Sequence, residues 1–173
     1  MATSKQQLTR SNVGAWVFKG NPQDTWDYFA ALENESRAPG VLVGETWTVG
    51  TTYRTHLIQP EDLMVLWITG TKDPGIYEIG KVSGTPKEID GIDENYLVNP
   101  NLAKKRTYAV PYTSLLLGHA VPRADMKADP ILGMCEQFVI PVIGNPTYLT
   151  PEQRDALLVF ISPAELRIAG WPS

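Results

Sequence analysis

The most informative stretch of the sequence, LMVLWITGTKDPGIYEIGKV, runs from Leu63 to Val82. Apolar residues occupy both alternating positions of Leu63–Thr69, which is typical of a central strand covered on both faces. The segment Lys72–Gly75 predicts a turn, because proline presets one backbone dihedral and glycine accepts positive φ. Ile76–Val82 is the returning strand. The stretch therefore predicts a β-hairpin at the centre of the fold.

The residues before this hairpin predict a strand, a helix and a further strand. Ala15–Phe18 is an apolar run that ends at a Gly-Asn-Pro turn, as a buried strand would. Asp24 is a candidate N-cap for a helix over Thr25–Asn34, where apolar residues recur at three- and four-residue spacing. A loop is expected over Ser36–Gly44, and a short strand over Trp47–Tyr53.

The residues after the hairpin predict a long excursion, two strands and two C-terminal helices. Ser83–Lys105 is rich in Gly, Pro, Asn and Asp, so little regular structure is expected there. Arg106–Leu117 and Gln137–Ile143 are interpreted as strands, joined by a proline-containing loop with a helical turn. Two capping boxes with proline at the first helical position, Thr150–Gln153 and Ser162–Glu165, predict the helices.

Together these elements indicate a mixed α/β class, a β-barrel of five to six strands with short flanking α-helices. A chain of 173 residues suits one domain, since single cores commonly span roughly 100–200 residues. We expect that domain over residues 13–173. Residues 1–12 are polar and lack the apolar stretch of a signal peptide, so they are interpreted as a flexible leader.

The bulk composition is that of an ordinary soluble domain and argues against two kinds of partner. No apolar run approaches the roughly 18 residues that a membrane helix needs, so no membrane partner is expected. The formal net charge is −4, whereas nucleic-acid binders usually carry a basic surface that neutralises phosphates. A nucleic-acid function must therefore depend on local features of this chain.

The sequence has few residues of the types that bind metals or act as nucleophiles in enzymes. Cys135 is the only cysteine, so no intramolecular disulfide can form and a reducing cytoplasm is the expected location. His56 and His119 are far apart and lack a neighbouring cysteine pair, so we expect no metal and no cofactor. No acid, base and nucleophile set and no phosphate-binding glycine loop is recognisable. The sequence predicts that the protein is not an enzyme.

The aromatic residues of the first half are more informative. Flat indole rings can stack on a nucleic-acid base, and nearby cations can approach a phosphate or a base acceptor. On composition alone the opposite interpretation is favoured, because tryptophan side chains most often fill cores. Trp16, inside an apolar run, is expected in the core in either case. The group comprises Trp16, Trp26, Trp47 and Trp67, with Lys19 and Arg54 close to them in sequence.

The order of several short blocks resembles that of EVE domains. The resemblance covers residues 13–160 with gaps, and it is the joint order of the blocks that makes it specific. The blocks are Ala15–Pro22, Trp47–Val49 followed by Arg54 and Pro60–Asp62, Leu66–Gly70, Gly75–Val82 and Asn145–Thr150.

This resemblance implies a PUA-like β-barrel related to the YTH domains, which enclose a methylated adenine. It implies recognition of a modified base, 5-methyl- or 5-hydroxymethylcytosine in DNA rather than RNA, flipped into an aromatic cage. A separate or fused restriction nuclease is an expected partner. The expected base-pocket residues are Lys19, Gly20, Trp26, Trp47, Thr48, Trp67 and Thr69, with Arg54 and Lys72 at backbone phosphates.

One residue departs from the family pattern. Gly20 stands where EVE domains usually have serine, which removes a hydroxyl and permits closer approach of a ligand. The sequence also leaves a different class open: a small-molecule-sensing or protein-interaction module on the same barrel, which the acidic net charge favours. The oligomeric state is not predicted.

Overall fold

The computed structural model describes residues 7–90, 96–99, 101, 106–140 and 144–172. In these residues seven strands form one sheet, and five α-helices flank it. The strands are β1 Ala15–Gly20, β2 Leu42–Val49, β3 Leu63–Ile68, β4 Gly75–Val82, β5 Lys87–Asp90, β6 Arg106–Pro122 and β7 Thr147–Leu149. The helices are α1 Tyr28–Asn34, α2 Arg123–Ala128, α3 Glu136–Val139, α4 Pro151–Leu157 and α5 Pro163–Ala169.

The sheet is mixed and has the strand order β2-β6-β4-β3-β1-β7. Strand β5 pairs with the first residues of β6, which precede the part of β6 that pairs with β4. Strands β1 and β3 are parallel, and the other pairs are antiparallel. The predicted hairpin is confirmed as β3 and β4, which pair from Leu63↔Lys81 to Ile68↔Gly75. The predicted mixed α/β class is likewise confirmed.

The prediction of a closed barrel of five to six strands is wrong. In the described residues the sheet has seven strands, and no ladder joins β2 to β1 or β7. The sheet is curled so that these ends approach, and two hydrogen bonds span the gap, which we call the seam. Trp47 Nε1 donates to the Lys19 carbonyl at 3.3 Å, and the Gly50 amide donates to the Asn145 carbonyl at 3.1 Å.

Alternation along the strands divides the core between the two faces of the sheet. The inner face, covered by α1, carries Trp16, Phe18, Met64, Leu66, Ile68, Val110 and Tyr112. The outer face, covered by α2, α4 and α5, carries Val17, Val65, Trp67, Ile79 and Leu115. Both faces of Ala15–Phe18 in β1 and of β3 are therefore buried, which explains why these residues are apolar at every position.

The helix predicted from Thr25 begins three residues later. Asp27, rather than Asp24, is the N-cap, and its carboxylate accepts from the Ala30 amide at 3.1 Å. Asp24 instead accepts from the Asn21 side chain, and the Thr25 amide donates to the Asn21 carbonyl. The capping signal was assigned to the wrong aspartate because both precede the same apolar stripe.

Two predicted strands are also corrected. Strand β2 covers Leu42–Val49 instead of Trp47–Tyr53, and its first residues lie in the segment interpreted as a loop. The segment Gln137–Ile143 begins as helix α3, not as a strand, and its residues 141–143 lie outside the described part of the chain. A short apolar run has no periodicity that distinguishes strand from helix, which accounts for the second error.

Other local predictions agree with the structure. Thr150 and Gln153 form the predicted capping box at the start of α4, with Pro151 at the first helical position. The Ser162 hydroxyl accepts from the Glu165 amide at the start of α5. The excursion after β4 contains one short strand, β5, and its residues 91–95, 100 and 102–105 lie outside the description.

The described part of the predicted leader packs on the domain. Leu8 is 8% exposed and belongs to the inner core. The Arg10 guanidinium donates two hydrogen bonds to Asp62, at 2.8 and 2.7 Å, and Trp16 Nε1 donates to the same carboxylate. Residues 7–12 are thus anchored beside the start of β3.

Candidate nucleic-acid interface

Some of the predicted site residues lie together at the end of β1, where Lys19 and Gly20 are on opposite faces of the sheet. Gly20 faces inward and lies against Trp47 of β2 across the seam. A Cβ atom at Gly20 would lie 2.8 Å from Trp47 Cζ2, so the close approach of the indole requires glycine here. The absence of a side chain at position 20 therefore makes room for the Trp47 ring.

Three aromatic side chains form a cluster beside Gly20. The ring centroids of Trp26 and Trp47 are 5.9 Å apart, and those of Trp26 and Tyr96 are 5.3 Å apart, both in edge-to-face geometry. All three residues are only partly buried. The Asp27 amide donates to the Tyr96 carbonyl at 2.8 Å, which holds Tyr96 beside Trp26. Partly open aromatic rings held in this way offer a stacking surface for a flat ligand.

The backbone of the Lys19–Gly20 step is fixed by two side chains. The Lys19 amide donates to Asn145 Oδ1 at 2.9 Å, and Asn145 Nδ2 donates to the Lys19 carbonyl at 2.6 Å. If the register of β7 with β1 is continued by two residues, Asn145 lies opposite Lys19, and its side chain makes the hydrogen bonds that a backbone pair would make there. On the other side, the Thr69 hydroxyl and amide both donate to the Gly20 carbonyl. The step is held rigidly between β3 and β7.

Charged side chains lie on the outer side of the seam. Lys19 Nζ donates to Gln137 Oε1 of α3 at 3.1 Å. Burial lowers the pKa of Lys19, and the charge of Glu136 opposes that shift. The ammonium group is therefore partly buried beside a polar helix end and is directed away from Trp47.

Arg54 forms a two-bond ion pair with Glu136. One guanidinium nitrogen donates at 2.8 Å, and the other makes a still shorter contact. Thr147 Oγ1 donates to the same carboxylate at 2.6 Å, and the guanidinium lies 5.5 Å from the centroid of the Tyr148 ring. Burial raises the pKa of Glu136, but the hydrogen bonds from Arg54 and Thr147 outweigh it, and the net shift is downward. Hydrogen bonding to Glu136 raises the pKa of Arg54.

The structure does not bring all the predicted residues together. Trp67 is 1% exposed on the outer face, where its ring centroid lies 5.3 Å from that of Phe138. It is a core residue here rather than the wall of an open pocket. Thr48 points to the face of β2 opposite Trp47, by alternation along the strand. Lys72 Nζ lies 4.9 Å from the centroid of the Phe29 ring, beside α1.

Four residues of the site were not singled out from the sequence: Tyr96, Glu136, Gln137 and Asn145. Tyr96 and Asn145 reach the end of β1 only through long-range pairing, since Asn145 is 126 residues from Lys19. The only available signal was the Asn145–Thr150 block, which was noted as similar to a closing segment of the family without a role for the amide. Glu136 and Gln137 are the first two residues of α3, whereas the sequence predicted a strand from Gln137 onward.

The described part of the chain contains no group of three or more His, Cys, Asp or Glu side chains positioned to hold a metal ion. Among its helices, none combines the length and apolar character required to cross a bilayer.

Comparison with solved structures shows that several proteins share the fold of this chain. No protein-family model and no curated protein matches the chain. A protein from Leishmania major superposes with a TM-score of 0.60 at 12% identity, over 87% of this chain and 96% of its own. A Pseudomonas syringae protein gives 0.59 at 14% identity, over 84% and 98%.

Human THYN1 has the same fold, in a structure determined with DNA that contains 5-methylcytosine. It superposes with a TM-score of 0.56 at 14% identity, over 84% of this chain and 96% of its own. The DUF55 domain of human thymocyte nuclear protein 1 gives 0.55 at 15% identity. These likenesses extend over nearly the whole of each neighbour and establish the fold.

Proposed function

We propose that this protein is a non-catalytic nucleic-acid-binding domain that holds one modified base, 5-methyl- or 5-hydroxymethylcytosine in DNA, against Trp47. The observation that carries the proposal is the partly open cluster of Trp47, Trp26 and Tyr96 beside Gly20. A rigid aromatic surface at the end of β1, with glycine at its closest approach, suits a flat ligand. Human THYN1, which shares the fold and is seen with 5-methylcytosine DNA, supports the choice of ligand.

The energetics of base flipping define what this surface must supply. Extruding a base from the stack costs a few kcal/mol. Stacking on aromatic side chains returns about 1–3 kcal/mol per base, and burying one methyl group adds about 0.8 kcal/mol. The methyl increment alone corresponds to roughly fourfold discrimination. Polar contacts to the base edge are therefore required for strong selectivity.

The distribution of charge favours recognition through the base rather than through phosphates. The net charge is −4, and Arg54, predicted to contact a phosphate, is paired with Glu136. Lys72 is exposed beside α1 and is the better placed of the two for a phosphate. Because binders that depend on many phosphate contacts lose affinity steeply with salt, we expect a shallow salt dependence. A nuclease partner would supply further contacts to the DNA backbone.

The test is binding of labelled oligonucleotides that carry cytosine, 5-methylcytosine, 5-hydroxymethylcytosine or N6-methyladenine, as single and double strands, at low and moderate salt. We expect selective binding of one modified cytosine by the wild type. Trp47→Ala should weaken it about 5- to 150-fold, the equivalent of the stacking energy of one base. Trp47→Phe keeps an aromatic ring and serves as the matched control, with a much smaller loss.

Absence of binding to all these probes at low salt would overturn the proposal. The acidic net charge would then favour the alternative, a small-molecule-sensing or protein-interaction module on the same fold. Equal binding by the Trp47→Ala variant and the wild type would show that the base is held elsewhere. A thermal melt of each variant separates loss of the site from loss of the fold.

A further inference from the structure

Glu45 lies on the same face of β2 as Trp47. In the pairing of β2 with β6, Glu45 is opposite Tyr112 and Trp47 is opposite Val110. Tyr112 and Val110 both belong to the inner core, so Glu45 and Trp47 both face inward. Residues two apart on one face of a strand are separated by about 6.6 Å. This spacing is comparable to the width of a pyrimidine ring with its substituents.

The carboxylate of Glu45 differs from its buried neighbour Glu78 in its hydrogen bonding. Glu78 is 1% exposed and accepts hydrogen bonds from Tyr28 and Ser114, each at 2.6 Å, and from Arg37 at 3.0 Å. Glu45 is partly buried, and its interactions within the described residues are the charges of Glu35, Arg37 and Glu78, with no hydrogen bond to its carboxylate. The Glu45 oxygens are not among the buried, unpaired side-chain atoms of the described residues, so the carboxylate remains accessible to a donor from a ligand. The inner face thus presents an acceptor that the protein itself does not satisfy.

Arg37 places a complementary donor nearby. Its side chain is 8% exposed, and Nη2 is used by Glu78, but its buried Nε has no hydrogen-bond partner in the described part of the chain. Burial raises the pKa of Glu45, the charges of Glu35 and Glu78 raise it further, and the charge of Arg37 lowers it. Arg37 therefore lies within electrostatic range of the Glu45 carboxylate.

An unpaired acceptor beside an aromatic surface selects among bases by their edges. The exocyclic amino group of cytosine or adenine donates to a carboxylate, as glutamate does with the cytosine N4 amino group. Thymine presents a carbonyl oxygen at the corresponding position, which would face the carboxylate without a donor. A buried acceptor left facing another acceptor costs free energy, so this arrangement rejects thymine as well as accepting cytosine.

We propose that Glu45 reads the exocyclic amino group of the base held against Trp47 and so restricts the ligand to amino-bearing bases. The inference rests on the proposed function, which it deepens by naming a residue that sets base identity. Trp47 supplies the stacking surface, and Glu45 supplies the contact that distinguishes 5-methylcytosine from thymine. The C5 methyl group cannot make this distinction, because both bases carry it.

The test compares 5-methylcytosine and thymine at one position of the same oligonucleotide. The base is placed in a single strand, and in a duplex opposite an abasic site, so that no base pair contributes to the difference. We expect the wild type to prefer 5-methylcytosine about 5- to 150-fold, the range of one edge contact. Glu45→Gln should reduce the preference to within about threefold, because an amide can donate to the thymine carbonyl as well as accept from an amino group.

Glu33→Gln is the matched control, since Glu33 is an exposed carboxylate on α1 and should leave the preference unchanged. Wild-type binding of 5-methylcytosine with an undiminished preference in Glu45→Gln would overturn this inference and leave the proposed function standing. Equal wild-type affinity for the two bases would do the same. Binding of neither base by the wild type would instead overturn the proposed function, and the role of Glu45 with it.

Discussion

Trp47 and Trp67 belong to neighbouring blocks of the sequence, but they lie on opposite faces of the sheet. Trp47 is partly buried on the inner side of the seam, where it contacts Gly20 and Trp26. Trp67 is completely enclosed on the outer face against Phe138. The same side chain is thus available for a ligand in one place and serves as core in the other. The difference depends on strand register, which decides the face on which each residue lies.

The largest expected effect tests this contrast through stability. Trp67→Ala should lower the free energy of unfolding by about 3–5 kcal/mol, because it leaves a cavity in the outer core. Trp47→Ala should lower it by only about 1–2 kcal/mol, since less surface is buried there. Urea denaturation of both variants measures the difference. Similar losses in the two variants would contradict the division into a core tryptophan and a site tryptophan.

The Arg54–Glu136 pair should give a smaller, pH-dependent effect. Glu136→Gln removes a charge that accepts from Arg54 and Thr147, and we expect a loss of about 1–2 kcal/mol at pH 7. Since folding lowers the pKa of Glu136 from its usual 4.5, this contribution is complete above that value. It is lost as the pH falls through the lower pKa of the folded state.

Unfolding free energies of the wild type and of Glu136→Gln, measured from pH 7 down to pH 3, test this expectation. The two curves should converge as the solution becomes acidic. A difference that stays constant over the whole range would show that the carboxylate charge is not the stabilising feature. Convergence of the two curves would show that the Arg54–Glu136 pair on the outer side of the seam stabilises the fold. The outer side would then have a structural role, in contrast to the aromatic cluster on the inner side.

The smallest effect concerns the close approach at Gly20. Gly20→Ala places a Cβ 2.8 Å from Trp47 Cζ2, so we expect the indole to shift, with a stability loss of about 1 kcal/mol. The shift should appear in the tryptophan fluorescence and in weaker binding of the modified base. Gly44→Ala is the control, because a Cβ there meets nothing within 4 Å. Identical behaviour of the two variants would show that the contact at Gly20 is unimportant.

Much of the fold could be predicted from the sequence, for identifiable physical reasons. The β3–β4 hairpin was predictable because its apolar residues occupy both faces of the sheet and a segment containing Gly and Pro joins the strands. The positive φ angles of that segment are at Gly70 and Asp73 rather than at Gly75, which is the first residue of β4. The N-caps Thr150 and Ser162 were predictable because their hydrogen bonds are local. The full capping box is present at Thr150, whereas the Glu165 carboxylate accepts from the Ser162 hydroxyl instead of from the backbone amide of that residue. Helix α3 was not predictable, because Phe138 and Val139 have no periodicity over so short a span.

The candidate site was less predictable because it is built by long-range register. Grouping Lys19, Gly20 and Trp47 followed from the family resemblance, and the structure brings these three residues together. Including Trp67 did not allow for alternation, which puts it on the outer face with Lys19. The β3–β4 pairing has a bulge between Leu66 and Trp67, and no pattern in the local sequence predicts this bulge. The role of Asn145 depends on β7 pairing with β1.

The seam has a consequence for how such a domain can diverge. A backbone ladder is indifferent to side-chain identity, so a fully paired barrel would keep the same aperture through many substitutions. Here the gap is spanned by the hydrogen bond from the Trp47 indole and by one isolated backbone hydrogen bond, from the Gly50 amide to the Asn145 carbonyl. A single codon change at position 47 or at position 20 can therefore reshape the opening while every ladder stays intact. Under the proposed function, ligand preference can therefore change faster in evolution than the fold that supports the site.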